Sequence, residues 1–460
     1  MHSNATRSGL PILAALLLMA GCSTVQIQHA QGPAAATMNA KFASAAELAR
    51  KDATLSGPAK QDNIAQIEQL LAGLDNATLA REATALHAGD PLYNFAGRAL
   101  LNRGLPLPRP FDRGGDWHFE AGNRPPADSD GYRPPVKLGV LLPLSGDLSK
   151  VAVPVRDGLL AGYYGESRRR PEILFYDTAG TAGGAVAAYA RAVSEGADYV
   201  LGPLGRDEVS ALFHERLTVP VLALNRGNVA PPAGSTSFSL APEDDGVAAA
   251  EFVLARNARH VLVLSDGSLR RAATAFREQL QSRGGSVTDT LAVAEKPGDM
   301  SVALQNAAQK QGGIDAVFLA LKPAQARALA PQLAAAGLGG KLRVATSQLA
   351  TGDGGAADRV LDGIAFPSEA WGVSSVPGLP SPTAAAKTLP SARGGAAKLF
   401  AFGHDAWLLT AYLERLATRA DGNVQGATGT LRLDGFGNVV RTPAWSTFSG
   451  GTAVPLGGGQ

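Results

Sequence analysis

Cysteine is almost absent from this sequence, because position 22 holds the single cysteine of 460 residues. Disulfides within the chain therefore cannot stabilise the fold, and packing must do so. An excess of one charge is lacking too: 42 basic and 40 acidic residues leave a formal net charge of +2. The basic residues are dispersed rather than gathered on a stripe, which gives nucleic-acid binding no support.

Long apolar runs are lacking as well. Residues 10–19 form an apolar stretch broken by Pro11, shorter than the roughly 20 residues that a membrane-spanning helix needs. No later stretch approaches that length, and 45% hydrophobic with 18% charged residues is ordinary for a folded, soluble body. The remaining chain of about 440 residues exceeds what one core usually holds, so two or three domains are expected.

Motifs of catalysis and metal binding are also missing. The seven histidines show no metal-ligand spacing, and no glycine run precedes the Lys-Ser/Thr pair of a phosphate loop. His404 and Asp405 could be drawn into a catalytic triad, but the chain has no G-x-S-x-G motif. A histidine at a helix start beside a capping aspartate is the favoured interpretation. We therefore predict no enzymatic activity and no metal.

An export signal is present at the N-terminus. Residues 1–9 are polar, residues 10–19 are apolar, and the segment ends in Leu18-Met19-Ala20-Gly21-Cys22. This ending resembles the bacterial lipobox, so we predict a lipoprotein signal peptide over 1–21 and a covalent lipid on Cys22. No other cofactor is expected. Ser23 replaces the aspartate that commonly signals inner-membrane retention, which predicts an outer-membrane anchor facing the periplasm.

A tether and a small helical domain follow the signal. Residues 22–37 are polar, and apolar residues then recur at helical spacing over 38–103. One face of the first helix carries Ile64, Ile67, Leu70, Leu71 and Leu74. Asp75 and Asn76 cap a second helix. The pattern predicts a small helical domain of about 65 residues over 38–103.

Residues 104–135 contain seven prolines, which disfavour helix and predict an extended linker. From residue 136 onward, short β-branched runs alternate with alanine-rich stretches. Strands are predicted at 136–142, 172–176, 199–201, 219–224, 236–240, 260–264, 286–291, 316–319 and 342–345. Helices are predicted at 150–168, 183–195, 243–256, 268–283 and 323–336. This alternation is typical of parallel sheets covered on both faces.

Two open sheets are favoured over a single barrel by the helix-free stretch 225–242 and the strand-like end 426–448, which contains a predicted hairpin around Asp434-Gly435. The predicted fold is therefore α/β, with a two-lobed domain over 136–460. Lobe 1 is placed at about 136–241 and 367–420, and lobe 2 at about 242–366 and 421–460. Residues 373–395 are rich in Pro, Ser, Ala and Gly and are predicted to form a mobile surface loop.

Several runs in this region resemble a known family. VKLGVLLPLSGDL (136–148) and VRDGLLAGY (155–163) are similar to the opening of type I periplasmic-binding-protein-like domains. Later runs resemble the LppC family: LFYDTAG (174–180), GADYVLGPL (196–204), PVLALN (220–225), LAPEDD (240–245), DAVFLA (315–320), FGHDAWLL (402–409), GATGTLRLD (426–434) and RTPAW (441–445). No single run is specific, but their order and spacing together are.

The resemblance implies a non-catalytic outer-membrane lipoprotein that binds a class A, bifunctional penicillin-binding protein and stimulates peptidoglycan cross-linking. Peptidoglycan itself is a second candidate partner. Fuller members carry an N-terminal array of tetratricopeptide-like helix pairs, so the resemblance implies that residues 38–103 are a degenerate form of that array. At about 34 residues per repeat they hold two repeats at most, below the roughly three that a stable array needs. The alternative function is a solute-binding lipoprotein of a transport system, a receptor for amino acids or wall fragments.

A candidate inter-lobe cleft follows from the fold, since ligands of open α/β lobes lie outside the carboxyl ends of the strands. That rule selects Ser145, Gly146, Asp147, Asp177, Thr178, Asn225, Ser265, Asp266, Thr346 and Ser347. Loops of this kind could bind a small polar ligand through backbone N–H groups and hydroxyls. The same residue types are also common turn formers and helix caps, so both interpretations stay open.

Overall fold

The computed structural model describes residues 38–112, 124–351, 355–419 and 421–457. The predicted signal peptide, the tether with Cys22, and residues 113–123 of the predicted linker lie outside these ranges. From residue 39 onward, the described residues form one compact unit. Among the described residues, no helix is both long and apolar enough to cross a membrane.

The N-terminal part of the described chain is helical, as its periodicity predicts. Its helices are α1 (Ala40–Asp52), α2 (Gly57–Ala72), α3 (Asn76–Ala85) and α4 (Tyr93–Asn102). Ile67 and Leu71 of the predicted apolar face are fully buried, in a core that also contains Phe42 and Tyr93. Asp75 caps α3 by accepting a 2.8 Å hydrogen bond from the Thr78 backbone N–H.

Lobe 1 is built on a five-stranded parallel sheet. Its strands are β1 (Lys137–Leu142), β2 (Glu172–Asp177), β3 (Tyr199–Leu201), β4 (Val221–Ala223) and β5 (Thr236–Ser237), in the spatial order β2-β1-β3-β4-β5. The helices between them are α5 (Ser149–Gly165), α6 (Ala182–Ser194) and α7 (Arg206–Phe213). Val140 and Leu141 are buried in different cores on the two faces of β1, because successive strand side chains alternate.

Lobe 2 contains a seven-stranded sheet. Its parallel strands are β6 (His260–Asp266), β7 (Ser286–Val293), β8 (Ala316–Ala320), β9 (Leu342–Ala345) and β10 (Ala365–Ser368). The connecting helices are α8 (Pro242–Leu254), α9 (Arg270–Ser282), α10 (Ser301–Ala308) and α11 (Pro323–Ala335). Two antiparallel strands from the end of the chain extend the sheet beyond β10, namely β14 (Ala444–Ser449) and β15 (Thr452–Pro455).

A small antiparallel sheet precedes those last strands and consists of β11 (Val424–Gln425), β12 (Thr430–Leu433) and β13 (Val439–Thr442). The hairpin predicted around Asp434-Gly435 is confirmed by the pairing of β12 with β13. Leu431 and Leu433 are buried in the core of lobe 1, so the assignment of 421–460 to lobe 2 differs from the structure over 421–442. Burial of these side chains against the first sheet places the hairpin with lobe 1.

The segment between β10 and β11 differs more strongly from its prediction. Within the loop predicted over 373–395 lies the helix α13 (Pro382–Thr388), and the loop is flanked by α12 (Ala370–Val373) and by the long helix α14 (Ala396–Thr418), which is not among the predicted helices. Ala385 and Ala392 are buried beside Trp371, so the region is packed. Helix α14 crosses α5 closely, since a Cβ added to Gly158 would lie 1.9 Å from the carbonyl oxygen of Phe400.

The helical segment and the end of the predicted linker both pack on the two-lobed part. The rings of Phe95 and Phe436 lie 4.7 Å apart and join α4 to the β12–β13 hairpin. Arg283 after α9 donates a 3.1 Å hydrogen bond to the side-chain oxygen of Asn76. The Arg133 backbone N–H donates to the Ala411 carbonyl of α14 at 2.8 Å. The first two contacts fix the helical segment against the hairpin and lobe 2. The third fixes the end of the predicted linker on α14.

Candidate functional site

In lobe 1, several of the predicted cleft residues form hydrogen bonds within the loops that follow β1 and β2. Asp177, at the end of β2, accepts hydrogen bonds from the Ser145 hydroxyl at 2.6 Å and from the backbone N–H groups of Leu144 and Ala179 at 2.9 and 2.8 Å. The Ser145 hydroxyl is the main cause that holds the pKa of Asp177 below its ordinary range. Gly146 turns the loop at φ 76°, and Asp147 is exposed.

Thr178 and Asn225, two other predicted residues of lobe 1, also form hydrogen bonds within or next to their own loops. Thr178 is fully buried, and its hydroxyl accepts a 3.3 Å hydrogen bond from the Gly180 N–H. The Asn225 amide donates to the Leu204 carbonyl at 3.0 Å, while its oxygen accepts from the Arg226 N–H at 2.9 Å. The turn-and-cap interpretation therefore accounts for the contacts of both residues.

In lobe 2, Asp266 ends β6 and caps the turn that follows. Its carboxylate accepts from the Ser268 hydroxyl, from the Ser268 N–H at 2.8 Å and from the Gln325 amide at 2.7 Å. These bonds, that of the Ser268 hydroxyl first, lower the pKa of Asp266. The Ser265 hydroxyl donates to the Asp266 carbonyl at 3.2 Å.

Ser347 differs from the other predicted residues because its contacts join the lobes. Its N–H donates to the Asp245 carboxylate of α8 at 3.0 Å, and its hydroxyl donates to the same oxygen. Lys398 of α14, which packs on lobe 1, donates to the Ser347 hydroxyl at 2.6 Å. The neighbouring Thr346 is buried, and its hydroxyl has no hydrogen-bond partner in the described part of the chain.

Further charged side chains surround this contact, of which Asp245 and Arg441 are buried and Lys398 and Glu369 are partly exposed. The second Asp245 oxygen lies 3.6 Å from the guanidinium of Arg441, whose side chain is 4% exposed. Arg441 also donates to the Thr428 carbonyl at 3.2 Å. Lys398 lies 3.7 Å from the Glu369 carboxylate. We call Asp245, Ser347, Glu369, Lys398 and Arg441 the inter-lobe network.

Of the inter-lobe network, sequence reasoning identified Ser347 alone. Asp245 and Arg441 do lie in two of the runs used for the family resemblance, LAPEDD and RTPAW. However, no spacing along the chain indicates that residues 102 positions apart, such as Asp245 and Ser347, form a hydrogen bond.

The interpretation of His404 and Asp405 as a helix start is wrong. Both lie in the interior of α14 and are 1% and 0% exposed. Asp405 accepts from the N–H groups of Ala427 and Thr428 at 2.5 and 2.8 Å and from the Thr428 hydroxyl at 2.6 Å. The carboxylate therefore fixes the turn between β11 and β12. This role could not be read from the sequence, because the turn lies more than 20 residues further along the chain.

A cavity of about 560 Å³ lies elsewhere, between α2, α4, α8 and the β12–β13 hairpin. Among the described residues that line it are Arg226, Phe252 and Trp445, but none of the predicted cleft residues. The Trp445 ring is half-buried and stacks on Phe252, with the ring centroids 3.9 Å apart. Within the described ranges, no cluster of three or more potential metal ligands occurs.

Comparison with known proteins places these features in context. The model of the family described as "LppC putative lipoprotein" matches residues 132–451. The penicillin-binding protein activator LpoA of Photobacterium profundum is 24% identical over 356 residues, covering 69% of this chain and 56% of that relative. LpoA of Dickeya chrysanthemi is 27% identical over 329 residues, covering 62% and 47%. The chain spans about half the length of these curated relatives.

Solved structures show the same fold. Full-length LpoA of Haemophilus influenzae matches with a TM-score of 0.60 at 19% identity, covering 90% of this chain and 78% of that one. Its C-domain alone, described as a regulator of PBP1A, matches with a TM-score of 0.58 at 20% identity, covering 70% and 99%.

A third structure, a "putative branched-chain amino acid ABC transporter" of Chromobacterium violaceum, matches with a TM-score of 0.55 at 29% identity, covering 68% of this chain and 100% of that one. Together with the LpoA structures, it confirms the predicted two-lobed, type I periplasmic-binding-protein-like α/β fold.

Proposed function

Because this chain belongs to the LppC family, we propose that it is a non-catalytic regulator that binds and activates a class A, bifunctional penicillin-binding protein. The observation that carries the proposal is the family match over 132–451, which includes both lobes and the segments that join them. The curated relatives named as penicillin-binding protein activators support activation. The choice of class A rests on the family resemblance.

The occupied inter-lobe contact also supports a regulator over a solute receptor. A receptor directs hydroxyls and charges of its cleft at the ligand, whereas here the Ser347 hydroxyl is engaged by Asp245 and Lys398. Parting the lobes would also separate the buried Asp245 carboxylate of α8 from the buried Arg441 guanidinium of the hairpin, which lies 3.6 Å away, and breaking a buried charge pair typically costs about 3–5 kcal/mol. A solute would have to offset that cost, whereas a protein partner that docks on the outer surface would not.

We further propose that lipid on Cys22 anchors the chain to the outer membrane on its periplasmic side, close to peptidoglycan. The ending Leu18-Met19-Ala20-Gly21-Cys22 and the serine at position 23 support this. Two or three acyl chains, at about 0.8 kcal/mol per buried CH₂, would make the anchor stable.

Reconstitution tests the activation. The full chain is mixed with a purified class A synthase and its lipid-linked precursor, and cross-linked products are quantified by chromatography. We expect a complex on affinity capture and a several-fold rise in cross-linking. A class B penicillin-binding protein, which lacks the glycosyltransferase, is the control and should not respond. Absence of a complex would refute binding, and a complex without a rise would refute activation.

Two neighbouring variants test the anchor in cells. Cys22→Ala should lose the lipid and leave the membrane fraction, because a single cysteine leaves no second acceptor. Ser23→Asp is the matched control, since it keeps the lipid but should hold the protein in the inner membrane. Density-gradient fractionation separates the outcomes. An unchanged distribution of Cys22→Ala would contradict the lipid anchor.

The second candidate function, a solute receptor, is favoured by the 29% identity to the Chromobacterium violaceum structure. A thermal-shift titration with leucine, isoleucine and valine distinguishes it. A ligand at about 100 times its Kd stabilises the protein by about 2.7 kcal/mol, which is readily measured. A saturable shift would favour the receptor, and the regulator predicts none.

A further inference from the structure

The helical segment α1–α4 spans the junction between the two lobes. Crossovers join the lobes at residues 238–241, 369 and 443. In two-lobed proteins, small rotations about such crossovers change the angle between the lobes. The helices α1–α4 precede these crossovers in the chain, yet they contact lobe 1 through the β12–β13 hairpin and lobe 2 through α9 and the residue after it. The segment is therefore a further connection between the lobes, outside the crossovers.

On lobe 1, the segment is attached to the hairpin by aromatic and charged contacts. The Arg98 guanidinium of α4 lies 4.1 Å from the centre of the Phe436 ring and 3.8 Å from the buried Asp434 carboxylate. The hairpin is itself bonded to the sheet of lobe 1, because the Ser237 N–H of β5 donates to the Gly437 carbonyl at 2.9 Å. Cation–π contacts and ion pairs gain strength where water is excluded, so this attachment is firm.

On lobe 2, the attachment is polar and open to solvent. The side-chain oxygen of Asn76, an exposed residue at the start of α3, accepts from Arg283 at 3.1 Å and from Arg103 of the helical segment at 3.3 Å. Burial, followed by the charge of Arg283, lowers the pKa of Arg103 to about 10. Glu251 of α8, 3.8 Å from Arg283, offsets part of the repulsion. Two cations share one neutral acceptor, so this attachment is released more easily than the one on the hairpin.

The attachment on lobe 2 lies well away from the crossovers. Helix α8 begins at Pro242, directly after the first crossover, and Glu251 is nine residues further along, about 14 Å at a rise of about 1.5 Å per residue. A rotation of the lobes by about 15° would displace a contact at that distance by about 4 Å, enough to break a hydrogen bond. The inter-lobe network lies beside the crossovers and is displaced far less. A cavity of about 560 Å³ separates the two attachments, so the segment bridges the junction rather than filling it.

We propose that α1–α4 form a brace that fixes the angle between the lobes, and that the lobes are freed when Asn76 releases Arg283. The segment stays attached to the hairpin in the released state, because that attachment is the firmer one. Anything that binds α3 and displaces Arg283 would therefore free the lobes. The proposal goes beyond activation of a penicillin-binding protein and does not depend on it.

Distances between spin labels test the brace in the full chain. Cys22→Ala removes the single cysteine, so that introduced cysteines alone are labelled. One pair, Asp147→Cys with Lys322→Cys, joins exposed positions after β1 of lobe 1 and after β8 of lobe 2 and reports the angle between the lobes. A second pair, Thr84→Cys with Arg277→Cys, joins exposed positions of α3 and α9 and reports the attachment. Double electron–electron resonance gives the distribution of each distance, and both should be narrow in the wild type.

Changes of charge at Asn76 should act on both distances. Asn76→Lys places a third cation beside Arg103 and Arg283 and should raise the detached population at least about tenfold, which corresponds to about 1.4 kcal/mol; both distributions should then broaden. Asn76→Asp supplies a carboxylate to the same two guanidinium groups and should keep both distributions narrow. Ala77→Lys is the matched control, because it adds the same charge at the next exposed position, about 100° further round α3, and should behave as the wild type. Circular dichroism checks that each variant is folded.

The proposal would be overturned if the lobe-to-lobe distribution of folded Asn76→Lys equalled that of the wild type, because the angle between the lobes would then not depend on this attachment. It would also be overturned if Ala77→Lys broadened that distribution as much as Asn76→Lys, because the added charge rather than the lost contact would then be the cause.

Discussion

Replacing Asp405 by asparagine tests how the buried carboxylate of α14 holds the β11–β12 turn. The aspartate is fully buried and accepts three hydrogen bonds from the β11–β12 turn, one through Oδ1 and two through Oδ2. Asparagine keeps the oxygen that faces the Ala427 N–H. It places an NH₂ group where Oδ2 accepts from the N–H and hydroxyl of Thr428, so donors would face donors.

The expected loss in the free energy of unfolding follows from the two hydrogen bonds to Oδ2. Hydrogen bonds to charged groups contribute about 1.5–3 kcal/mol each, so losing both costs about 3–6 kcal/mol before relaxation. A neutral amide is cheaper to bury than a carboxylate, which offsets part of the loss. We therefore expect Asp405→Asn to lower the free energy of unfolding by about 3 kcal/mol. Thr428→Val, which removes the hydroxyl bond to the carboxylate alone, should cost about 1.5 kcal/mol, the lower end of that range, because Oδ2 keeps its bond from the Thr428 N–H.

Urea unfolding followed by circular dichroism measures both variants, with the midpoint compared at constant slope. Asp421→Asn is the matched control, because its side chain is 73% exposed and pairs with Arg419 at the surface. It should change stability by no more than about 0.5 kcal/mol. The double variant Asp405→Asn with Thr428→Val should cost less than the sum of its parts. A loss for Asp405→Asn no greater than that of Asp421→Asn would refute the reasoning.

Two further predictions concern packing and pH. Gly158→Ala should destabilise by about 3 kcal/mol in thermal unfolding, because its Cβ would meet the Phe400 carbonyl at 1.9 Å; Gly183→Ala on α6, with no atom within 4 Å, should be neutral or stabilising. The pKa of Asp177 lies below its ordinary 3.8 in the folded protein, first through the Ser145 hydroxyl. Its stabilisation is therefore complete above about pH 4 and is lost as pH falls through the folded pKa. Urea unfolding from about pH 6 to about pH 3 should show a steeper acid loss for the wild type than for Asp177→Asn, and equal slopes would contradict this.

Patterns within a few neighbouring residues correctly predicted the helices, strands and caps that depend mainly on those neighbours. The Ile67 and Leu71 face and the Asp75 cap of α3 follow from helical spacing and capping preference. The strand predicted at 199–201 is the observed β3. In the same way, polar residues after strands, such as Asp177 and Asp266, were found because parallel strands end in loops of that composition.

The elements that were missed carry weak local signals. Helix α14 is buried on most sides, so its apolar residues show no single stripe to reveal a helical period. Residues 373–395 are rich in Pro and Ser and were interpreted as a loop. Yet Ser381 caps α13 by accepting from the Ala384 N–H, and Pro382 occupies the first helical position, where it is favoured.

The amino-acid sequence by itself determined the alternation of strands and helices, the two-lobed α/β fold and the polar character of the loops after the strands. Tertiary structure alone decided which lobe holds the β12–β13 hairpin, that Lys398 and Asp245 engage Ser347, and where the cavity lies. The reason is physical: hydrophobic period and capping act over a few residues, whereas these contacts join positions far apart in the chain. The carboxylate of Asp245 and the hydroxyl of Ser347 are 102 residues apart along the chain and meet only once both have folded.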